Sequence, residues 1–343
     1  MIVTQPADLL SDRKVIVETL RYLTDQSNQQ RFEWFYTASP EGRARAWLAK
    51  EEASGTVVGT AAAFPRRFYI GGKEILGWVL GDFCFAPQYR SLGPALKLQR
   101  ACLDILEQDQ QTFCYDFPSA SMVGVHRRMG FNTTGKMVRL VMPLRVDGKV
   151  KTMIKNPAVQ RVASSVGNAF LKLWLSKMQT DKNLEVAVQN TSCGEEFTLL
   201  AEEQHRNFEL SLKRSAEYLN WRYVKNPLTM YEIITARRHG KLKGYAVWTR
   251  AGEAASVVDL FGENNREIVK ALIAAVIVRL KNLDVATLSL WLSDSHPWMS
   301  WCSEIGFRAR DTVPMVCLPG AAFSSSVDVR NTKWFLMQGD RDS

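Results

Sequence analysis

Four signatures recur in the same order in the two halves of this chain, and that repetition constrains its fold more than any other feature. Trp34-x-Tyr36-x-x-x-Pro40 returns as Trp221-x-Tyr223-x-x-x-Pro227. Gly55-Thr-Val-Val-Gly59, leading into an apolar strand pattern, returns as Gly240-Lys-Leu-Lys-Gly244 before Tyr245-Ala-Val-Trp248. Val79-Leu-Gly-Asp82-Phe83 has its counterpart in Val257-Val-Asp259-Leu-Phe261, each followed by a long helical pattern, Gly93 to Leu106 and Ile268 to Leu283. Met129-Gly130-Phe131 is matched by Ile305-Gly306-Phe307. Each match is short, but a conserved order at a long period is the mark of a duplicated unit.

Within the first half, strands are expected near Ala44 to Ala49, Thr56 to Ile70, Ile75 to Phe85, Thr112 to Phe117 and Thr134 to Met142, with a hairpin at Gly71-Gly72 and helices between. Strands interleaved with helices imply an α/β (α+β) fold, a mixed sheet covered by helices. The expected boundaries put one domain at 1–145, a connector at 146–183, a second domain at 184–320 and a tail at 321–343. Between Arg145 and Lys182 eight Lys and Arg face two Asp, so most of the chain's net charge of +9 sits there. Ala158 to Met178 spaces Val162, Val166, Phe170, Leu173 and Leu175 in a helical pattern, a basic amphipathic helix. Such a helix either attaches to an anionic membrane surface or acidic partner, or packs its apolar side on a neighbouring domain.

With 343 residues, 46 % of them apolar and 23 % charged, the chain is of ordinary globular composition and long enough for two cores. Its longest apolar run, Ala271 to Val278, is far short of the ~20 residues that span a bilayer. The N-terminus has neither a basic start nor a following apolar stretch, so the expected compartment is the cytoplasm. The six cysteines form no Cys-x-x-Cys pair and the four histidines are widely spaced, so free thiols and no metal are expected. No Gly-x-Ser-x-Gly elbow, His-Glu-x-x-His or Walker loop is present. The paired glycines at Gly55/Gly59 and Gly240/Gly244 are expected in hairpin turns.

The most informative run is Phe83-Cys-Phe-Ala-Pro87-Gln-Tyr-Arg90-Ser-Leu-Gly93-Pro94-Ala95. It reads as a strand, a short loop and a helix with Pro in its first turn. Unpaired amides and a partial positive charge at such a helix start suit a phosphate or pyrophosphate. Here the chain resembles the GNAT superfamily of acyl-CoA-dependent N-acyltransferases, whose pyrophosphate loop reads [Q/R]-x-x-G-x-[G/A] after a strand. Arg90-Ser-Leu-Gly93-Pro-Ala95 fills that pattern, and the later Gly130-Phe131 pair matches it too. The resemblance implies two tandem GNAT-like domains, each a mixed, mostly antiparallel sheet flanked by helices. It implies acetyl-CoA or another acyl-CoA as co-substrate, held by Phe85, Gln88, Tyr89, Arg90, Ser91, Leu92, Gly93, Pro94 and Ala95. Pro94 lacks an N–H, so the loop offers one donor fewer than its relatives can.

In many relatives a Tyr four residues before the Gly protonates the departing thiolate; here that position is His126, an acid or base near neutral pH or else a surface residue. For the base, Asp82 lies on the strand before the loop, and Tyr115 and Asp116 end the next strand. The matching Asp259 stands in a half without the loop, which favours a structural role for Asp82. That second half has Gly262-Glu-Asn-Asn-Arg266-Glu, whose acidic residues would repel a pyrophosphate, so it reads as a degenerate repeat walling an acceptor cleft. The resemblance extends to bacterial enzymes acylating amino sugars or sugar-linked amines, through the Trp34/Tyr36/Pro40 segment and the tail Trp334 to Asp342. The alternatives are an aminoacyl-tRNA-dependent transferase of peptidoglycan type and a non-catalytic binding module. No nucleic-acid partner is expected, because the positive charge is concentrated in the connector.

Overall fold

A computed structural model describes residues 1–23, 28–145, 156, 165–166, 183–281, 283–325, 327–329 and 331–341. Apart from positions 156, 165–166 and 183, the basic connector expected at 146–183 lies outside the described residues. The first half runs β1 (Ile2–Pro6), α1 (Arg13–Thr19), α2 (Asn28–Arg31), β2 (Arg45–Glu51), β3 (Val57–Ile70), β4 (Lys73–Phe85), α3 (Leu92–Cys102), α4 (Asp104–Gln108), β5 (Phe113–Asp116), α5 (Ala120–Arg128) and β6 (Asn132–Pro143). The second half carries β7 (Glu185–Val188), β8 (Leu210–Leu212), β9 (Glu232–Arg238), β10 (Lys241–Ala251), β11 (Ala254–Gly262), β12 (Thr287–Ser293) and β13 (Arg308–Pro319), and the tail adds β14 (Trp334–Phe335). Its long helix, Arg266–Leu280, stands where α3 stands in the first half. The strands expected from the sequence are present, and the helix expected over Gly93 to Leu106 divides into α3 and α4 at Leu103.

The strands form one mixed sheet in the order β1-β2-β3-β4-β5-β13-β6-β12-β11-β10-β9-β7. Neighbours along it are antiparallel except β4 with β5 and β11 with β12. The middle of that order interleaves the two halves of the chain. β13 lies between β5 and β6, and β6 lies between β13 and β12. Each half therefore lends its last long strand to the other, and the two halves share a continuous sheet.

Period-2 alternation along β3 feeds two cores. Ala62, Phe64, Phe68 and Ile70 join a large core that spans both halves, while Ala61 and Ala63 face a smaller one beneath α3. The Trp-x-Tyr signatures sit in π-helical turns, Phe32–Thr37 and Asn220–Val224, which turn Trp34, Tyr36, Trp221 and Tyr223 inward. Gly55 and Gly240 are turn residues with φ of +68° and +75°, as expected. Gly59 and Gly244 are not: both lie inside strands, and close packing requires them. A Cβ on Gly59 would stand 2.6 Å from the Phe85 ring, and one on Gly244 2.9 Å from Ile268. All six cysteines are buried and unpaired. Among the described residues no helix is long and apolar enough to cross a membrane.

Candidate active site

The parallel strands β4 and β5 pair only over Gly77–Val79 and Phe113–Tyr115. Beyond Val79 they part, and the cause is local. Gly81 pairs with Ala62 and Cys84 with Thr60, so Asp82 and Phe83 together oppose Ala61. This bulge bends β4 away from its neighbour, and Asp82 holds a left-handed φ of +49° to make it. The gap opens into a cavity of about 380 Å³ lined by Leu80, Asp82, Phe83, Gln99, Asp116 and Phe117 among others. It shares Leu23, Phe83, Ser119 and Met122 with a second cavity of about 490 Å³ that runs to the start of α3. Together they make a continuous groove from the sheet gap to a helix N-terminus.

At that helix start Ser91 is the N-cap, but its side chain caps nothing. Ala95 N–H donates to Ser91 O, Pro94 has no N–H, and the Leu92 and Gly93 amides have no partner among the described residues. Gly93 faces open space, with nothing within 4 Å of where a Cβ would stand. Of the loop residues expected to bind a cofactor, Phe85, Arg90, Ser91, Leu92 and Ala95 line the groove. Gln88, Tyr89, Gly93 and Pro94 flank it, and the Tyr89 hydroxyl donates to Glu51 at 2.9 Å. The Arg90 guanidinium donates to Phe85 O at 3.0 Å and Tyr22 O at 3.1 Å, so its side chain braces the loop against the first helical segment.

Asp82 is 2 % exposed, with Arg31 donating to both carboxylate oxygens and Tyr36 O–H donating at 2.8 Å. Burial, together with the adjacent carboxylate, pushes the Tyr36 hydroxyl well above its ordinary range. In the second half Asp259 is held in the same way, by Arg214 at 3.1 Å and Tyr223 O–H at 3.2 Å. Asp116 differs: it faces the cavity, accepts Phe117 N–H at 2.6 Å, and lies 2.8 Å from His126 Nε2, off the line of a good hydrogen bond. His126 is 1 % exposed, its Nδ1 set against Met122 O at 3.0 Å, so it lies behind Asp116 and not at the surface. Tyr115 is fully buried and its hydroxyl donates to Asp340 O at 3.0 Å, away from the cavity. Cys84 lines the groove, but burial pushes its thiol up to about 12.

β11 and β12 repeat the divergence, parting after Val257 and Leu290. Here the chain fills its own gap. The tail bridges Met337 to Leu292, the Met337 sulfur accepts Leu260 N–H at 2.9 Å, and Ser293 N–H donates to Leu336 O at 3.1 Å. Arg214 joins Asp259 to Asp340, both buried, and anchors the end of the tail. The helix start that corresponds to α3 is closed as well: the Asn265 side chain accepts Glu267 N–H at 2.9 Å, and Glu263 pairs with Lys243. Past Asp340 the tail reaches the first half, where Arg341 enters the open cavity.

The sequence reading missed Arg31, Phe83, Met122, Ser119 and Arg341 as parts of this site. The bulge that exposes Phe83 and the strand exchange that brings Arg341 to Asp116 have no short-range signal. Trp34, Tyr36 and Pro40, by contrast, do not line the cavity at all. Trp34 and Pro40 edge a separate groove of about 820 Å³, opposite Trp221 and Pro227.

Residues 11–134 match the family model of the acetyltransferase (GNAT) domain. Solved structures share the fold across most of the chain. A probable N-acyltransferase from Enterococcus faecalis is 12 % identical with a TM-score of 0.65, over 93 % of this chain and 73 % of that one. A GCN5-related N-acetyltransferase from Anabaena variabilis is also 12 % identical, with a TM-score of 0.66 over 92 % and 72 %. Saccharomyces cerevisiae N-myristoyltransferase with bound myristoyl-CoA is 11 % identical, with a TM-score of 0.59 over 98 % and 89 %. At these identities the likeness is one of fold. No curated protein matches the sequence.

Proposed function

We propose that the chain is an acyl-CoA-dependent N-acyltransferase with one cofactor site, on its first half. The observation that carries this is the contrast between the two strand gaps. One is open and continuous with an uncapped helix start; the other is filled by the tail and capped by Asn265. The residues present fit the cofactor. Leu92 and Gly93 amides would receive the diphosphate, with open space at Gly93. The apolar groove of Phe83, Phe85, Met122 and Val125 would hold the pantetheine arm beside the free edge of β4. When bound, acyl-CoA supplies an activated acyl thioester.

The chain's own part is to position the acceptor and move a proton. Asp116 is the carboxylate in the gap suited to take a proton from an ammonium, with His126 orienting it from behind. Asp82, saturated by Arg31 and Tyr36, holds the bulge that opens the gap. The acyl group would pass directly to the amine, the C–N bond forming as the thioester C–S bond breaks and CoA departing as its thiol with the proton the amine gives up, so that catalysis leans on positioning.

Isothermal titration of the full chain with acetyl-CoA and longer acyl-CoAs tests the reading. One site per chain is expected, with ~2.7 kcal/mol of added stability at 100 times the Kd. Gly93→Glu should abolish it by placing a carboxylate where the phosphates would sit. A folded protein that binds no acyl-CoA, or a Gly93→Glu variant that binds normally, would refute the assignment.

A further inference from the structure

The cavity between β4 and β5 is electrically bipolar. Among the described residues four charged groups face it: Arg31, Asp82, Asp116 and Arg341. Arg31 and Asp82 neutralise each other in a buried pair. Asp116 keeps its carboxylate toward the cavity, with His126 and the Phe117 N–H beside it. Arg341 forms no ion pair among the described residues, and its Nε is buried without a partner. Its guanidinium lies over the Phe117 ring at 5.4 Å and the Trp291 ring at 6.0 Å, which fix its plane without using its donors.

The placement of Arg341 is built and not incidental. Arg222 donates to Gly339 O and to Arg341 O, both at 3.1 Å, and Tyr115 donates to Asp340 O at 3.0 Å. Asp340 is itself locked to buried Arg214. The two repeats thus cooperate to carry one cation from the end of the chain into a cavity formed by the first half. Arg341 is half-buried, with its Nε enclosed and unpartnered; a donor held that way is costly unless a ligand supplies an acceptor, and the planar fork suits a carboxylate or phosphate.

We infer that the acceptor is zwitterionic: a small amine that also carries an oxyanion, with Arg341 reading the oxyanion while the amine faces Asp116. This rests on the N-acyltransferase reading for what happens to the amine, but binding of the acceptor stands on the cavity alone. Arg341 is then a specificity residue that the tail delivers.

The full-length protein is titrated with glycine, β-alanine, γ-aminobutyrate and glucosamine 6-phosphate, each against the counterpart that keeps the amine and lacks the oxyanion, the amide or glucosamine. At least one oxyanion-bearing amine should bind ten-fold or more tightly than its counterpart. The carboxylate and phosphate arms separate the two sources of the anion. Arg341→Gln should reduce that preference to within two-fold, and Arg341→Lys should retain part of it, with the melting temperature of each variant confirming its fold. Equal affinity for amines with and without the oxyanion, no binding by any of them, or an Arg341→Gln variant that keeps the preference would overturn the inference. Acyl-CoA binding, measured in parallel, separates this outcome from the other. If the oxyanion preference and its loss in Arg341→Gln hold while acyl-CoA does not bind, the acceptor site stands and the transfer reading falls.

Discussion

Trp34 and Trp221 each donate their indole N–H to the other's backbone carbonyl, at 2.9 and 3.0 Å, with their rings stacked 5.2 Å apart. The reciprocity places the two repeats about a local two-fold relation. Their exchanged last strands, β6 and β13, extend the same relation through the sheet. Neither repeat completes its own sheet, so the two should not fold apart. A fragment ending at residue 145 should be unfolded or aggregated by circular dichroism, and the full chain should unfold in one transition in urea. Trp34→Phe, which keeps the stack but removes one of the paired bonds, should cost about 1 kcal/mol. A stable, monomeric fragment would show that the exchange is dispensable.

Asp82 should matter to the fold first. Asn tolerates its left-handed φ, so Asp82→Asn isolates the charge and takes from Arg31, 7 % exposed, the carboxylate it donates to. Breaking a buried pair from one side costs about 3–5 kcal/mol. Urea titration should show a loss of that size, whatever happens to turnover. A variant within ~0.5 kcal/mol of the parent would mean that the pair contributes little and would reopen Asp82 as a reacting group.

The strands of the first half and the loop-to-helix corner were legible in the sequence, because these rest on local turn chemistry and short-period patterning. Recurrence of Asp82 as Asp259 pointed to structure, and both are indeed enclosed by an Arg and a Tyr. The partners could not be foreseen. Arg31 and Arg214 come from non-equivalent places in their repeats, and strand exchange is a long-range choice that alternation does not encode. The tail was the largest gap in the reading. Trp334-Phe-Leu-Met looks like a short apolar strand, and nothing in it announces that it would fill one cleft and furnish a cation to the other.

Asp116 and His126 should separate in kinetics. If Asp116 accepts the proton, Asp116→Asn should lower kcat by about 10²–10⁴ and leave the affinity for acyl-CoA unchanged, since it lies in the sheet gap, at the end of the groove away from the helix start that would hold the diphosphate. Under the proposed mechanism His126 only orients Asp116, so His126→Asn should have a smaller effect on kcat than Asp116→Asn. Equal losses in both variants would make the pair one catalytic unit, and a normal kcat in Asp116→Asn would remove it from the chemistry.

His296 gives the fold a pH dependence with a definite sign. It is 3 % exposed among Trp298, Phe335 and Arg214, and burial together with the nearby guanidinium depresses it from 6.5 to about 3. Below pH 6.5 the unfolded chain takes up a proton that the folded chain refuses. Its contribution is therefore fully present above about pH 6.5 and is lost as pH falls toward 3, by about 1.4 kcal/mol per unit. Asp340 runs the other way. Burial and its closeness to Asp259 raise its carboxyl from 3.8 to about 6, so the folded chain takes up that proton first and gains stability between about pH 6 and 4. The two slopes oppose each other, and the intact protein should show little net change from them over that range. In His296→Phe only the Asp340 slope remains. Relative to the parent, the variant should gain about 1.4 kcal/mol for each unit that pH is lowered from 6 to 4, measured as the difference in urea unfolding free energy. Parallel profiles for the two proteins would show that His296 is protonated in the folded state.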